Sequence, residues 1–217
     1  MNLEFTNTIM RAYLHNERQS LKSIFPTEYM GQLWNTAATP HTFIMVKLTR
    51  DNIIPAPEHK FPDLARIIAP YNLDAAMPIK VFIDMWKQIP YIDQEIVHTC
   101  ETCEGNGTFE HDDHIYRCQS CDESGIIKTG EFEKVKDPSY LITINGIKHS
   151  NCFFYELLRV ADRCAITTIT VKHVMVDTFM ASIFHLGTDI IIGIAPKIVD
   201  EDDQESITEI TLKIKMK

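Results

Sequence analysis

Apolar and polar positions alternate along this chain with two periods, and the switches between them outline its elements. Ile9, Met10, Tyr13 and Leu14 recur at helical spacing, with Arg11, His15, Glu17 and Arg18 between them. The first 35 residues therefore read as helical, with a second short segment running from Pro26 through Met30, Leu33 and Trp34. Thr42 to Leu48 reads as a strand. Pro55, Pro57, Pro62 and Pro70 then punctuate a stretch that no long helix can cross. Pro78 suits a first helical position, and Ile79, Phe82, Ile83 and Trp86 mark one face of a helix that Pro90 ends. Ile92 to His98 reads as a strand, and Gly125 to Val135 as its antiparallel return.

The pattern sharpens from Tyr140. Leu141 to Lys148 holds Asn145-Gly146, a strong hairpin signal because both residues tolerate positive φ. Asn151 is placed to cap a helix over 151–163, in which Phe154, Leu157, Leu158 and Ala161 share a face. Ile169 and Val171 alternate with Thr168, Thr170 and Lys172, as in a half-buried strand. Asp189 to Ala195 reads as a buried strand, and Ile210, Leu212, Ile214 and Met216 alternate in a final one. The expected fold class is α+β, with antiparallel sheets and covering helices. The 140–217 half is expected to form one antiparallel sheet under the 151–163 helix, with Leu158 buried.

Between the two strands that flank residue 110 lie four cysteines in two pairs, Cys100 with Cys103 and Cys118 with Cys121. A CxxC turn offers two sulfurs to one side, and two such turns complete a tetrahedron of thiolates around one Zn²⁺. Four sulfurs leave no position for a reactive water, so the expected metal is structural. Two redox pairs or two disulfides are the competing readings. His98, His111 and His114 lie close by and are expected to be exposed rather than ligands. Gly105, Gly107 and Gly125 follow the pairs where each turn must reverse. The unit resembles the CxxCxGxG repeat of DnaJ-type chaperones. The first copy matches fully, and the second carries Glu123 in place of its first glycine. The resemblance covers Cys100 to Gly125 alone and implies a zinc hairpin of that style, not a co-chaperone.

Composition narrows the function classes. The chain is 45% hydrophobic and 24% charged, ordinary values for a globular protein. No run approaches the roughly 18 apolar residues of a membrane span. Met1 to Phe5 shows neither the basic nor the apolar part of a secretion leader, and reduced thiols fit a cytoplasmic setting. The net charge of −9 argues against binding that relies on a basic surface. Nothing matches a P-loop, a dinucleotide fingerprint, a nucleophile elbow or a His-Glu-x-x-His helix. Cys152 and Cys164 read as packing residues, and His173 and His185 as satisfied core residues. The acidic loop 200–205 reads as a solvated turn.

Phe61-Pro62-Asp63, Arg66 and Pro70, then a helix, hairpin, helix and strands in that order, resemble a DNA sliding clamp, the processivity factor of replicative polymerases. Leu157-Leu158 fits the leucine pair of a clamp module. Ile194-Ala195-Pro196-Lys197-Ile198 is similar to its closing Met-Pro-Met-Arg-Leu segment, with one residue inserted in the earlier loop. The resemblance implies a non-catalytic protein that surrounds DNA, touches phosphates loosely and offers apolar pockets to partner peptides. It implies Lys148, Arg159 and Arg163 as a DNA-facing set. It also implies a homo-oligomeric ring, because this chain holds at most two of the three modules of a bacterial clamp chain. The expected division is an N-terminal helical and strand region over 1–60, a clamp-like domain over 61–97 and 128–217, and a zinc hairpin over 98–127. The alternative is a zinc-hairpin adaptor or inhibitor, encoded by a phage or mobile element, that binds protein and not DNA.

Overall fold

The structure is a computed structural model that describes residues 8–14, 23–47, 64, 68, 75–112, 114–176, 179–199 and 208–214. The chain divides into two compact units, a body formed by Met1–Ile89 with Pro138–Lys217, and an arm, Pro90–Asp137. The body's first half holds β1 (Phe25–Tyr29), β2 (Gln32–Ala38), β3 (Thr42–Lys47), β4 (Ala75–Pro78) and α1 (Ile79–Gln88). The arm holds β5 (Tyr91–Thr99), β6 (Thr108–His111), β7 (His114–Arg117) and β8 (Ile126–Lys136). The body resumes with β9 (Tyr140–Ile144), β10 (Ile147–Ser150), α2 (Asn151–Arg163), β11 (Thr168–Val176), β12 (Phe179–Leu186), β13 (Ile190–Ile194) and β14 (Thr208–Leu212). The fold class is α+β, as expected.

A seven-stranded sheet in the order β1-β2-β3-β13-β12-β11-β4 forms the body's frame, and every neighbouring pair in it is antiparallel. A second sheet runs β10-β9-β14, with β14 parallel to β9. The 140–217 half is thus not one antiparallel sheet. Its middle three strands join β3 and β4, and only β9, β10 and β14 stay together. Nor do the described residues of 1–60 form a separate region, because β3 bonds to β13 along five residue pairs.

The expected helical segment at Pro26–Trp34 is also corrected. Residues 25–38 form the β1–β2 hairpin, turned by Met30 (φ 51°) and Gly31 (φ 68°). Both central residues are left-handed, the geometry that matches the twist of paired strands. The Asn145-Gly146 turn between β9 and β10 repeats it, with φ of 50° and 85°.

The large sheet is buried on both faces. Ile44, Val171, Phe184 and Ile192 face α1 and α2, while Phe25, Trp34, Phe43, Met45 and Ile183 pack on the other side with Leu64 and Ile68. Those last two are the described members of the 61–70 stretch. Phe61, Pro62, Asp63, Arg66 and Pro70, which carry the clamp resemblance there, lie outside the described residues, as does the acidic loop 200–205. Phe82 of α1, Phe154 of α2 and Phe184 of β12 form a triangle with ring centroids 5.7–6.3 Å apart. Tilted and edge-on contacts of this kind add to the area buried.

Helix α2 departs from expectation in two details. Ser150, not Asn151, is its N-cap, and Asn151 instead donates from Nδ2 to the Tyr140 carbonyl at 3.1 Å. Its buried face is Phe154, Leu157, Val160 and Ala161, whereas Leu158 is only half-buried.

One polar chain runs through the helix-side core. Ser182 Oγ lies 2.9 Å from both His149 Nε2 and His173 Nδ1. Burial pushes His149 down to about 4, against the pull of the Ala195 carbonyl and with that of His173. His149 is therefore neutral in the fold, while an unfolded histidine titrates near 6.5. The unfolded chain gains a proton first, so stability falls as pH drops from about 6.5 to about 4, by up to about 3 kcal/mol at the lower end. Burial lowers His185 as well, in the same direction. Urea denaturation of the body at stepped pH checks this, and His149→Asn is expected to flatten the profile.

Candidate metal centre and interaction surfaces

The arm brings Cys100, Cys103, Cys118 and Cys121 together. All four are buried, and their Sγ atoms lie within 4.8 Å of one another. Cys100 and Cys118 sulfurs are 3.7 Å apart, as are those of Cys103 and Cys121. A tetrahedron with metal–sulfur bonds of 2.3 Å has edges of about 3.8 Å, so the spacing fits an ion at the centre. The four thiols can hold a metal ion. Burial opposes ionisation at both ends of the set, yet backbone N–H groups bring Cys100 down to about 7, whereas Cys121 is pushed up to about 12.

The two halves of the site repeat each other. The Gly107 and Gly125 amides donate to the Cys103 and Cys121 sulfurs at 3.2 and 3.3 Å. The Cys118 amide donates to Gly107 O and the Cys100 amide to Gly125 O, each at 2.9 Å. These two glycines are required by space as well as by φ. A Cβ on Gly107 would stand 2.2 Å from the Glu123 carbonyl, and one on Gly125 2.1 Å from that of Gly105. Gly107→Ala is therefore expected to loosen the metal at least tenfold, a cost of about 1.4 kcal/mol or more, read by competition with a chromophoric chelator. Glu123 stands at the position of the missing glycine with φ 65°, and its carboxylate accepts from Arg117 at 2.8 Å.

Among the described residues of the arm, the buried cluster is the four cysteines. β5 and β8 form a two-stranded ribbon with a bulge between Glu95 and Val97, and nine of the eleven β8 residues are exposed. His98, His111 and His114 are exposed too, outside the thiol cluster. The unit extends beyond the expected 98–127, because the ribbon continues to Tyr91 and Lys136.

In the body, the residues expected to face DNA do not form one cluster of unpaired cations. Lys148 on β10 pairs with Glu209 of β14 at 2.7 Å, and this contact holds the Glu209 carboxyl below its usual range. Arg159 pairs with Glu156 one helical turn away at 2.6 Å, and Arg163 is exposed in the last turn of α2. Pattern reading also missed a cavity of about 360 Å³ lined by His41, Ser150, Phe153, Ala195, Pro196, Lys197 and Ile198. The His41 and Phe153 rings stack there at 5.9 Å. Its rim includes the 194–198 segment, anchored by Ala195 N donating to His41 O and Lys197 N to Lys148 O.

Solved structures similar to this chain share its fold. The chain superimposes on the DNA polymerase III β subunit of Thermotoga maritima with a TM-score of 0.50 and 9% identity, covering 92% of this chain and 65% of that one. The fold is sliding-clamp-like. Other similar structures are the sliding clamps of Bartonella birtlesii (12% identity, TM-score 0.49, 91% of this chain and 64% of that one) and Bacillus subtilis (12%, 0.48, 91% and 63%). The chain thus spans about 65% of the length of the clamps it matches. No protein-family profile and no curated protein matches the sequence. No helix among the described residues is long and apolar enough to cross a membrane.

Proposed function

We propose that this protein is a non-catalytic, clamp-like accessory factor of DNA replication in the cytoplasm, with one structural Zn²⁺ held by Cys100, Cys103, Cys118 and Cys121. The observation that carries the reading is the likeness of nearly the whole chain to a polymerase sliding clamp, at a TM-score of 0.50. Zinc suits the donor set, since four thiolates at tetrahedral spacing favour a soft, closed site with a structural role. In this reading the working form is a homo-oligomer that closes a ring around the duplex.

Lys148, Arg159 and Arg163 line the DNA path in this reading. Two of the three are already paired with carboxylates, which weakens their hold on phosphate. Weak local contact is what sliding requires, while closure of the ring prevents escape. The cavity beside Pro196 and Ile198 is the seat for a partner peptide, with Phe153, Pro196 and Ile198 as its apolar lining. Solution mass by light scattering tests the ring: the expected species is an oligomer, and a monomer at working concentration overturns it. A monomer with intact metal would leave the adaptor reading, which the acidity of the arm favours.

A further inference from the structure

The chain's negative charge is concentrated in the arm. Pro90–Asp137 holds twelve Asp and Glu residues and four Lys and Arg, a formal charge of −8. The remaining 169 residues hold 18 acidic and 17 basic, so nearly all of the chain's −9 resides in the arm. Two of the arm's cations are paired within it, Arg117 with Glu123 and Lys128 with Glu95, and Lys136 lies 3.9 Å over the Tyr91 ring. Glu101, Glu104, Glu110, Asp122, Glu131 and Glu133 have no ion-pair partner among the described residues.

The same unit carries nine of the fourteen large apolar side chains exposed among the described residues. On β6–β7 they are organised. Phe109 is opposite Tyr116 and His111 opposite His114, so four rings share one face of the ribbon. Phe109 and Tyr116 stack at 5.9 Å, and His114 meets Tyr116 edge-on at 6.4 Å. Phe109 and Tyr116 remain 40% and 44% exposed, so the stack leaves much of each ring open to solvent.

We propose that the β6–β7 aromatic face of the arm is a docking surface for a basic polypeptide segment rich in Arg and Lys. Guanidinium and ammonium groups stack on aromatic rings, their aliphatic stems cover apolar surface, and the net negative charge of the arm as a whole complements their charge. Nucleic acid is disfavoured on this face, because −8 meets phosphate unfavourably even where bases stack. A second arm is disfavoured for the same reason. This deepens the partner-binding part of the reading above and rests on it, but not on encirclement of DNA.

The test uses the full metal-loaded chain and three labelled probes: a synthetic Arg/Lys peptide with interspersed Leu, its Asp/Glu counterpart, and a single-stranded oligonucleotide. Fluorescence anisotropy is read for the wild type, for Phe109→Ser/Tyr116→Ser, and for Glu101→Gln/Glu110→Gln/Glu133→Gln. Unchanged metal content and thermal transition show that each variant is folded. The expected result is binding of the basic peptide alone, weakened at least tenfold in each variant. Absence of that binding, or equal affinity in the wild type and the aromatic variant, overturns the proposal. So does oligonucleotide binding that depends on Phe109 and Tyr116. Retention on circular DNA is unaffected by any of these outcomes, so failure here and failure of the clamp reading are separable.

Discussion

Cys103→Ser is expected to release the metal and unfold residues 98–127, while the body remains folded. Among its described residues the arm buries no cluster of side chains apart from the four thiols, so it has little hydrophobic energy to hold it when one ligand is lost. Structural zinc sites in small peptides contribute about 10–16 kcal/mol of apparent binding energy at neutral pH, and in such units that energy is the folding energy. The body keeps both faces of its seven-stranded sheet covered by its own residues. Elemental analysis of protein purified under reducing conditions should show one zinc per chain, and none in the variant. Amide exchange should then show fast exchange at Cys100, Gly107, Cys118 and Gly125, whose protection depends on the intact knuckles. Wild-type protein without stoichiometric metal, or a variant with an unchanged exchange pattern, contradicts the assignment.

Leu157→Ala is expected to destabilise the body by about 2–5 kcal/mol, the range for a leucine deleted from a packed core. Leu157 is fully buried among the residues that join α2 to α1 and the large sheet. Leu158, its neighbour, is half-buried, and Leu158→Ala should cost clearly less. Urea denaturation followed by tryptophan fluorescence compares the two. Equal losses would show that the buried face of α2 is assigned incorrectly.

How much was legible follows from which interactions are local. The cysteine pairs, the strands leading to and from them, the Asn145-Gly146 turn and helix α2 each have causes within a few residues, and each was readable. The β1–β2 hairpin was not. Its turn uses Met30 with φ 51°, a residue with no reputation for that region, and Asn35, Thr36, Ala37 and Ala38 are all buried, so no alternation marks the strand. β12 was hidden for a related reason. Ser182, Ile183 and Phe184 are consecutively buried in a strand covered on both faces, and Ser182 is polar because it serves His149 and His173. The splitting of 140–217 between two sheets depends on pairing with β3 and β4, more than 60 residues away in sequence, which no local pattern encodes. At the site, residue types were readable but surroundings were not. Nothing in the sequence near Lys148 signals that Glu209 pairs with it.

The central claim is that the chain holds DNA by topology rather than by affinity. The most direct test compares retention of the loaded protein on closed circular duplex with retention on the same duplex after a single linearising cut, at matched salt. Encirclement predicts that protein stays on the circle through a high-salt wash and runs off the linear form. Equal retention on both, or none on either, contradicts it.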